Sequence, residues 1–383
     1  MTGSEDARFA LSGEQLAARD EAVAFAAREL AHLDGEGEFS REVWGRCAAA
    51  GIQRLPVAPE DGGRGAGAGT VAATLEGLGY GCRDNGLVFA LNAQLWGCEL
   101  PLVRFGSDEQ RRRWLPGLCD GSLVGAHAVT EQAAGSDALA LATTATRSSD
   151  GWILDGEKTF VTNGPVADVF VVLARTDPAL GFAGLSTFLV DREAGGLQVG
   201  PPIAKMGLRS APLGELMLER CEVPEAALLG APGGGLSTFM LTMRWERTLV
   251  LAGALGTMRR QLERTTAHAR DREQFGRPLL DFQAVSHRLV DMKLRLETSR
   301  LLLYRTAELL DSKAAADADA ALTKLHVSEC FVHSSLDALQ LHGGSGYLAE
   351  PGLERDVRDA LASRLYSGTS EMQRNLVASQ LGP

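Results

Sequence analysis

The chain has 383 residues, 45% of them hydrophobic and 23% charged, with a net charge of -11. That length exceeds one ordinary core and predicts roughly two or three domains, in a composition typical of soluble globular proteins. The acidic balance argues against a nucleic-acid partner, which calls for a basic face.

Met1 to Gln15 is polar and acidic, unlike a secretory signal. No uninterrupted apolar run reaches the ~18 residues of a membrane span. Cys47, Cys82, Cys98, Cys119, Cys221 and Cys330 are scattered without a Cys-x-x-Cys pair, as expected of reduced structural thiols in a cytoplasmic protein. The seven histidines lack metal-ligand spacing, so no metal is expected.

In chain order, the first part reads as helical. Apolar spacing predicts an alanine-rich helix over Leu16 to Leu33, then helices over Val71 to Leu78 and Leu87 to Phe105. Pro116-Gly117 is expected to close this region. From about Gly125 to Leu229 the pattern turns to short β-branched and aromatic runs. These are Trp152 to Leu154, Phe160 to Thr162, Val169 to Leu173, Ser186 to Val190 and Glu215 to Val223. After the loop Pro232-Gly233-Gly234-Gly235 helical spacing returns. Val285, Leu289, Met292, Leu296, Leu303 and Leu310 share one helix face, and Leu322, Leu325, Val332, Leu336 and Leu339 another. A bundle is expected from these long amphipathic helices. The predicted organisation is α+β: an all-α domain over 1–124, a β-domain over 125–232 and a helical bundle over 233–383.

Five segments carry chemistry. They are Ala128-Val129-Thr130-Glu131-Gln132-Ala133-Ala134-Gly135-Ser136-Asp137, Lys158-Thr159-Phe160-Val161-Thr162-Asn163-Gly164, and Asp271-Arg272-Glu273-Gln274-Phe275-Gly276-Arg277-Pro278 followed by Phe282-Gln283. Gln340-Leu341-His342-Gly343-Gly344-Ser345-Gly346-Tyr347 and Arg364-Leu365-Tyr366-Ser367-Gly368-Thr369-Ser370-Glu371 complete the set. Small residues such as Gly135 and Ser136 let backbone N–H groups approach an anion, and an arginine fork suits phosphate oxygens. In this order the five resemble the motifs of the acyl-CoA dehydrogenase family, over nearly the whole chain.

The resemblance implies the family's fold, ending in a four-helix bundle, and FAD held between β-domain and bundle. It places Val129 and Thr130 on the flavin ring, Ser136 by the dinucleotide phosphates or the substrate, Phe160 against the flavin and Thr162 near its reactive nitrogen. Thr369 and Glu371 match positions that contact the dinucleotide. Arg272, with Gly343 and Gly344, is expected to serve a neighbouring subunit's cofactor, hence a homodimer or homotetramer. Gln274, Phe275, Gln283 and Gln340 are further cofactor candidates.

One position departs from the family. Most members carry the catalytic glutamate where this chain has Ser367. A serine keeps the backbone N–H that polarises a thioester carbonyl, but it cannot act as a base. Glu246 matches the position that isovaleryl-type and long-chain-type members use instead, and is the expected base. Arg247 and Tyr366 are candidate substrate contacts. The segment Trp245-Glu246 with Arg364 to Thr369 looks closest to a branch acting on acyl or aminoacyl groups tethered to carrier proteins, prolyl-carrier-protein dehydrogenases among them. Carrier protein and coenzyme A share the same pantetheine arm, so the tether and the electron acceptor stay open. Two alternatives are an oxygen-using oxidase or monooxygenase on the same fold, and a non-catalytic flavin-binding partner that lost its base.

Overall fold

The computed structural model describes residues 11–350 and 352–382, so most of the polar stretch Met1 to Gln15 lies outside the described residues. Helices come first: α1 (Gly13–Glu29), α2 (Arg41–Ala49), α3 (Ala68–Gly81), α4 (Asn85–Gln94), α5 (Leu100–Phe105) and α6 (Asp108–Asp120). α1 and α6 start on capping boxes, Ser12 with Gln15 and Ser107 with Gln110. Each box satisfies two backbone N–H groups that a helix start leaves open.

The helix predicted over Leu87 to Phe105 is one continuous run, but a π-helical turn at Leu95–Glu99 joins α4 to α5. By length and apolar content this run could cross a membrane, and most of it is buried inside the protein. Pro116-Gly117 does not close the region. α6 continues through Pro116 to Gly121, which takes φ 79° as its cap. Leu115 and Leu118 flank the proline and are buried, so core packing offsets the missing N–H bond.

The strands are β1 (Gly125–Ala128), β2 (Thr144–Arg147), β3 (Gly151–Thr162), β4 (Val169–Arg175), β5 (Leu185–Asp191), β6 (Leu197–Val199), β7 (Leu213–Pro224) and β8 (Leu228–Leu229). They form one sheet in the order β6-β7-β3-β2-β4-β5-β8, with β1 parallel to β4. β4 and β5 are buried almost throughout, while β7 alternates inward and outward residues, as a strand with one covered face should. Against β7, the register of β3 slips between Lys158 and Val161. That bulge re-aims Phe160.

The last part comprises α7 (Gly235–Leu249), α8 (Ala252–Asp271), a hairpin of β9 (Glu273–Gln274) and β10 (Arg277–Pro278), then α9 (Gln283–Asp311), α10 (Asp317–Leu341), α11 (Leu353–Ala362) and α12 (Ser370–Ala378). The apolar face read for α9 is buried at Leu289, Met292, Leu296, Leu303 and Leu310. α10 differs from its reading. Leu322 and Leu336 are exposed, and the helix buries Thr323, Lys324, Val327, Ser328, Phe331 and Ser335 instead. It lies centrally, packed by α7, α8, α9, α11 and α12, and small or polar residues let those neighbours approach closely.

The first helices and the bundle share a continuous core. A Cβ on Gly79 of α3 would lie 2.0 Å from the Gly253 carbonyl oxygen of α8, so glycine sets this crossing distance. Beside it the buried Glu76 accepts from Arg300 at 2.7 Å and Tyr304 at 2.9 Å, both on α9.

Candidate active site

α7 carries Glu246 inward, where its carboxylate accepts a hydrogen bond from the Ser367 hydroxyl. Burial raises its pKa above the ordinary 4.5, while the Ser367 bond and the charges of Arg247 and Lys324 pull the other way. Part of the residue's surface stays open. The result is a carboxylate in a largely dry recess, the state a general base needs.

Facing it, Ser367 stands at φ 56° and Gly368 at φ 88°. A serine in this left-handed region costs about 1–2 kcal/mol, so neighbours must hold it there. Arg247 Nε donates to the Ser367 carbonyl at 3.2 Å, and Gln373 Nε2 donates to the Ser367 and Gly368 carbonyls at 3.1 and 2.8 Å. Lys324 Nζ donates to the Gly368 carbonyl at 2.7 Å. With those carbonyls tied down, the Ser367 N–H has no backbone acceptor among the described residues. It is a free donor beside a carboxylate.

Aromatic rings wall this recess. Phe89 and Tyr366 lie 4.4 Å apart between centroids, and Trp96 and Trp245 5.9 Å. Burial pushes the Tyr366 hydroxyl pKa up. Trp96 belongs to the π-helical turn, as does Cys98, whose buried thiol is pushed well above its ordinary value by desolvation and by nearby Glu99 and Glu246.

Two of the motifs meet on the sheet. Lys158 of β3, fully buried, donates to the Glu131 carboxylate at 2.7 Å and to the Val129 carbonyl at 3.1 Å. Glu131 also accepts the Ala142 and Thr143 N–H groups at 2.6 and 3.0 Å. Burial pushes the Lys158 pKa down to about 8. Burial opposes ionisation of Glu131 as well, but the Lys158 bond and charge outweigh it and hold the carboxyl low. The Thr159 N–H reaches the Thr130 carbonyl at 2.8 Å, and paired bonds between Glu131 and Ala134 close the turn through Gln132 and Ala133.

On this ledge Phe160 takes φ 55° and is 58% exposed, inside a strand. Thr162, two residues on, and Thr130, which is bonded to Thr159, are half-buried, and Ser136 is exposed. Asn163, buried at φ 65°, anchors the strand end through Nδ2 to the Ala90 carbonyl at 3.0 Å. An apolar ring held open beside hydroxyl-bearing residues fits a flat, hydrogen-bonding group such as flavin, so these residues suit FAD. Thr369 caps α12 by accepting the Met372 N–H at 3.3 Å, and Glu371 stands exposed in that helix's first turn.

The remaining candidates gather elsewhere. Arg272 and Gln274 are exposed, Phe275 is 94% exposed at φ 53°, and Gly276 follows at φ 77°. Two positive φ values make the tight hairpin turn that joins β9 to β10. Gln283 opens α9, and Gln340, Gly343 and Gly344 lie exposed at the end of α10. A stack of His268 on His342, 4.3 Å between centroids, brings hairpin and glycine turn to the same end of the bundle. Along α10, Lys324 and Gln340 are about 24 Å apart at the helical rise per residue. The structure therefore sets the hairpin and glycine-turn candidates far from the Glu246–Ser367 pair, with the Phe160 ledge on the sheet as a third group. Sequence reasoning missed Glu131, Lys158, Lys324 and Gln373. The first two stand inside quoted motifs, where charged residues among apolar ones were a usable signal.

Known proteins resemble this chain over nearly its whole length. Models of the acyl-CoA dehydrogenase N-terminal, middle and C-terminal domains match residues 12–122, 126–221 and 233–382. An L-prolyl-peptidyl-carrier-protein dehydrogenase of Pseudomonas fluorescens is 44% identical over 90% of this chain and 90% of its own. The crystal structure of the prolyl acyl carrier protein oxidase AnaB superposes with a TM-score of 0.95 at 45% identity, covering 98% of this chain and all of that one. The structure of PigA with FAD and proline gives a TM-score of 0.96 at 40% identity, covering 98% and 99%. The three domain models together span most of the chain, and the chain belongs to the acyl-CoA dehydrogenase family.

Proposed function

We propose that this protein is an FAD-dependent dehydrogenase of a prolyl or related aminoacyl thioester carried on a carrier protein. The relatives' activities and the intact family motifs support this substrate class. The observation that carries the chemistry is Glu246 in its recess, hydrogen-bonded to a residue whose backbone N–H is free.

FAD, when bound, supplies the two-electron acceptor. Phe160, Thr130, Thr162 and Ser136 would hold it in this chain, with Thr369 and Glu371. Glu246 takes the proton from the carbon beside the thioester carbonyl. The electron pair left behind forms the new double bond as hydride leaves the neighbouring carbon. For oxidation at the carbon–nitrogen bond of a prolyl group instead, Glu246 takes the ring N–H proton and hydride leaves the carbon bonded to that nitrogen. The Ser367 N–H donates to the carbonyl oxygen, where negative charge develops. Arg247 and Tyr366 line the substrate side of the same recess. Arg272, Gln274, Phe275, Gln283, Gln340, Gly343 and Gly344 serve the cofactor of a second copy, within a homo-oligomer in the cytoplasm.

The test is anaerobic flavin reduction by L-prolyl thioesters of a carrier protein and of coenzyme A. Glu246→Gln should lower the rate by on the order of 10³-fold. A variant that reduces flavin at the wild-type rate would remove Glu246 from the mechanism. The oxidase AnaB, at 45% identity, favours a second reading in which oxygen reoxidises the flavin. Stoichiometric peroxide on admitting air to the reduced protein selects that reading.

A further inference from the structure

Lys324 is 0% exposed on the inner face of α10. A buried ammonium loses its hydration and needs acceptors for three N–H groups, and here its hydrogen bond goes to the Gly368 carbonyl at 2.7 Å. The Tyr366 ring lies 5.8 Å away. Arg247 and Glu246 from α7, Glu329 from α10 and Glu371 from α12 set the field around it. Simple packing would be met by an apolar residue, as at Val327 one turn further along.

From this geometry we infer that Lys324 is a positioning residue: by holding the Gly368 carbonyl it fixes the Ser367–Gly368 turn, so that the Ser367 N–H faces the thioester oxygen. The inference rests on the reading of the site given above. Lys324 touches no substrate and acts through the turn. Gln373 shares the same carbonyl at 2.8 Å as a second donor. Burial and the Arg247 charge pull the Lys324 pKa down to about 7, and its amine donates to Gly368 whether protonated or neutral. Its helix is also packed by α7, α8, α9, α11 and α12.

The test uses FAD-loaded protein carrying Glu246→Gln, so that L-prolyl pantetheine thioester binds without being oxidised. The probe carries carbon-13 at its carbonyl, and difference infrared spectra read the carbonyl stretch. On binding to Glu246→Gln, the stretch should move to lower frequency. Adding Lys324→Met should abolish that shift. Lys324→Gln, polar but too short to reach Gly368, should do the same, and it serves if the methionine variant fails to fold. In the otherwise native protein, Lys324→Met should lower the limiting rate of flavin reduction by on the order of 10²-fold, with substrate dissociation changed by less than about threefold. A shift present in Glu246→Gln and undiminished by either Lys324 substitution overturns the inference alone. No shift in Glu246→Gln itself overturns the reading of the site, and the inference with it.

Discussion

At the scale of single residues, the contact between Ser367 and Glu246 ties the polarising turn to the base. The hydroxyl stabilises the ionised carboxylate, so it opposes the rise in pKa that burial causes. Ser367→Ala removes the hydroxyl and keeps the backbone N–H. The Glu246 pKa then rises further, less of the base is ionised at a given pH, and the ascending limb of flavin reduction moves to higher pH. The plateau should stay within about tenfold of wild type, because the oxyanion donor survives. A pH profile of single-turnover reduction checks this, and an unmoved limb would show that the hydroxyl does not tune the base. Glu246 and Ser367 were both legible in the sequence as a displaced acid and a substituted one. Their hydrogen bond was not, because it joins residues 121 positions apart through side chains whose directions only packing sets. Lys324 was hidden more deeply. The leucines beside it, Leu322 and Leu325, drew the helix face to the wrong side.

At the scale of elements, the Lys158–Glu131 pair is the fastening between β3 and the turn after β1. Both charges are buried, so losing one leaves the other uncompensated. Lys158→Met should destabilise the protein by about 3–5 kcal/mol, and adding Glu131→Leu should recover part of that loss. Denaturant unfolding of the single and double variants measures it, and a single variant as stable as wild type would mean the pair is not a fastening. The short β1, β2, β6 and β8 were missed, whereas β4, β5, β7, the two ends of β3 and the long helices were legible because their apolar periods are clean. The π-helical turn at Leu95–Glu99 was not, since one inserted residue barely disturbs an apolar run. Pro116 misled for a related reason: local preference for a break is outweighed by the burial of Leu115 and Leu118.

At the scale of the whole molecule, the helix–strand–helix succession was visible from apolar spacing and turn residues. What spacing could not show is how far the bundle puts the hairpin and glycine turn from the Glu246–Ser367 pair. If the hairpin and glycine turn complete the site of a second copy, mixed oligomers carry a distinctive signature. Glu246→Gln and Arg272→Ala chains should each be nearly inactive alone. Co-expressed, they should regain flavin reduction, since an intact Glu246 and an intact Arg272 from different chains then share some sites. A mixed preparation no more active than its parents would count against shared sites.

α10 thereby acts as a ruler between two jobs, anchoring the reacting end through Lys324 and delivering Gly343 and Gly344 at the other. Its 25 residues fix both the spacing and the angular phase of those ends. One residue inserted near Cys330 would turn everything beyond it by about 100° and advance it by about 1.5 Å. Such a chain could keep every side chain named above and still be unable to present them in step. Relatives of this enzyme should therefore tolerate many substitutions along α10, but no change in its length.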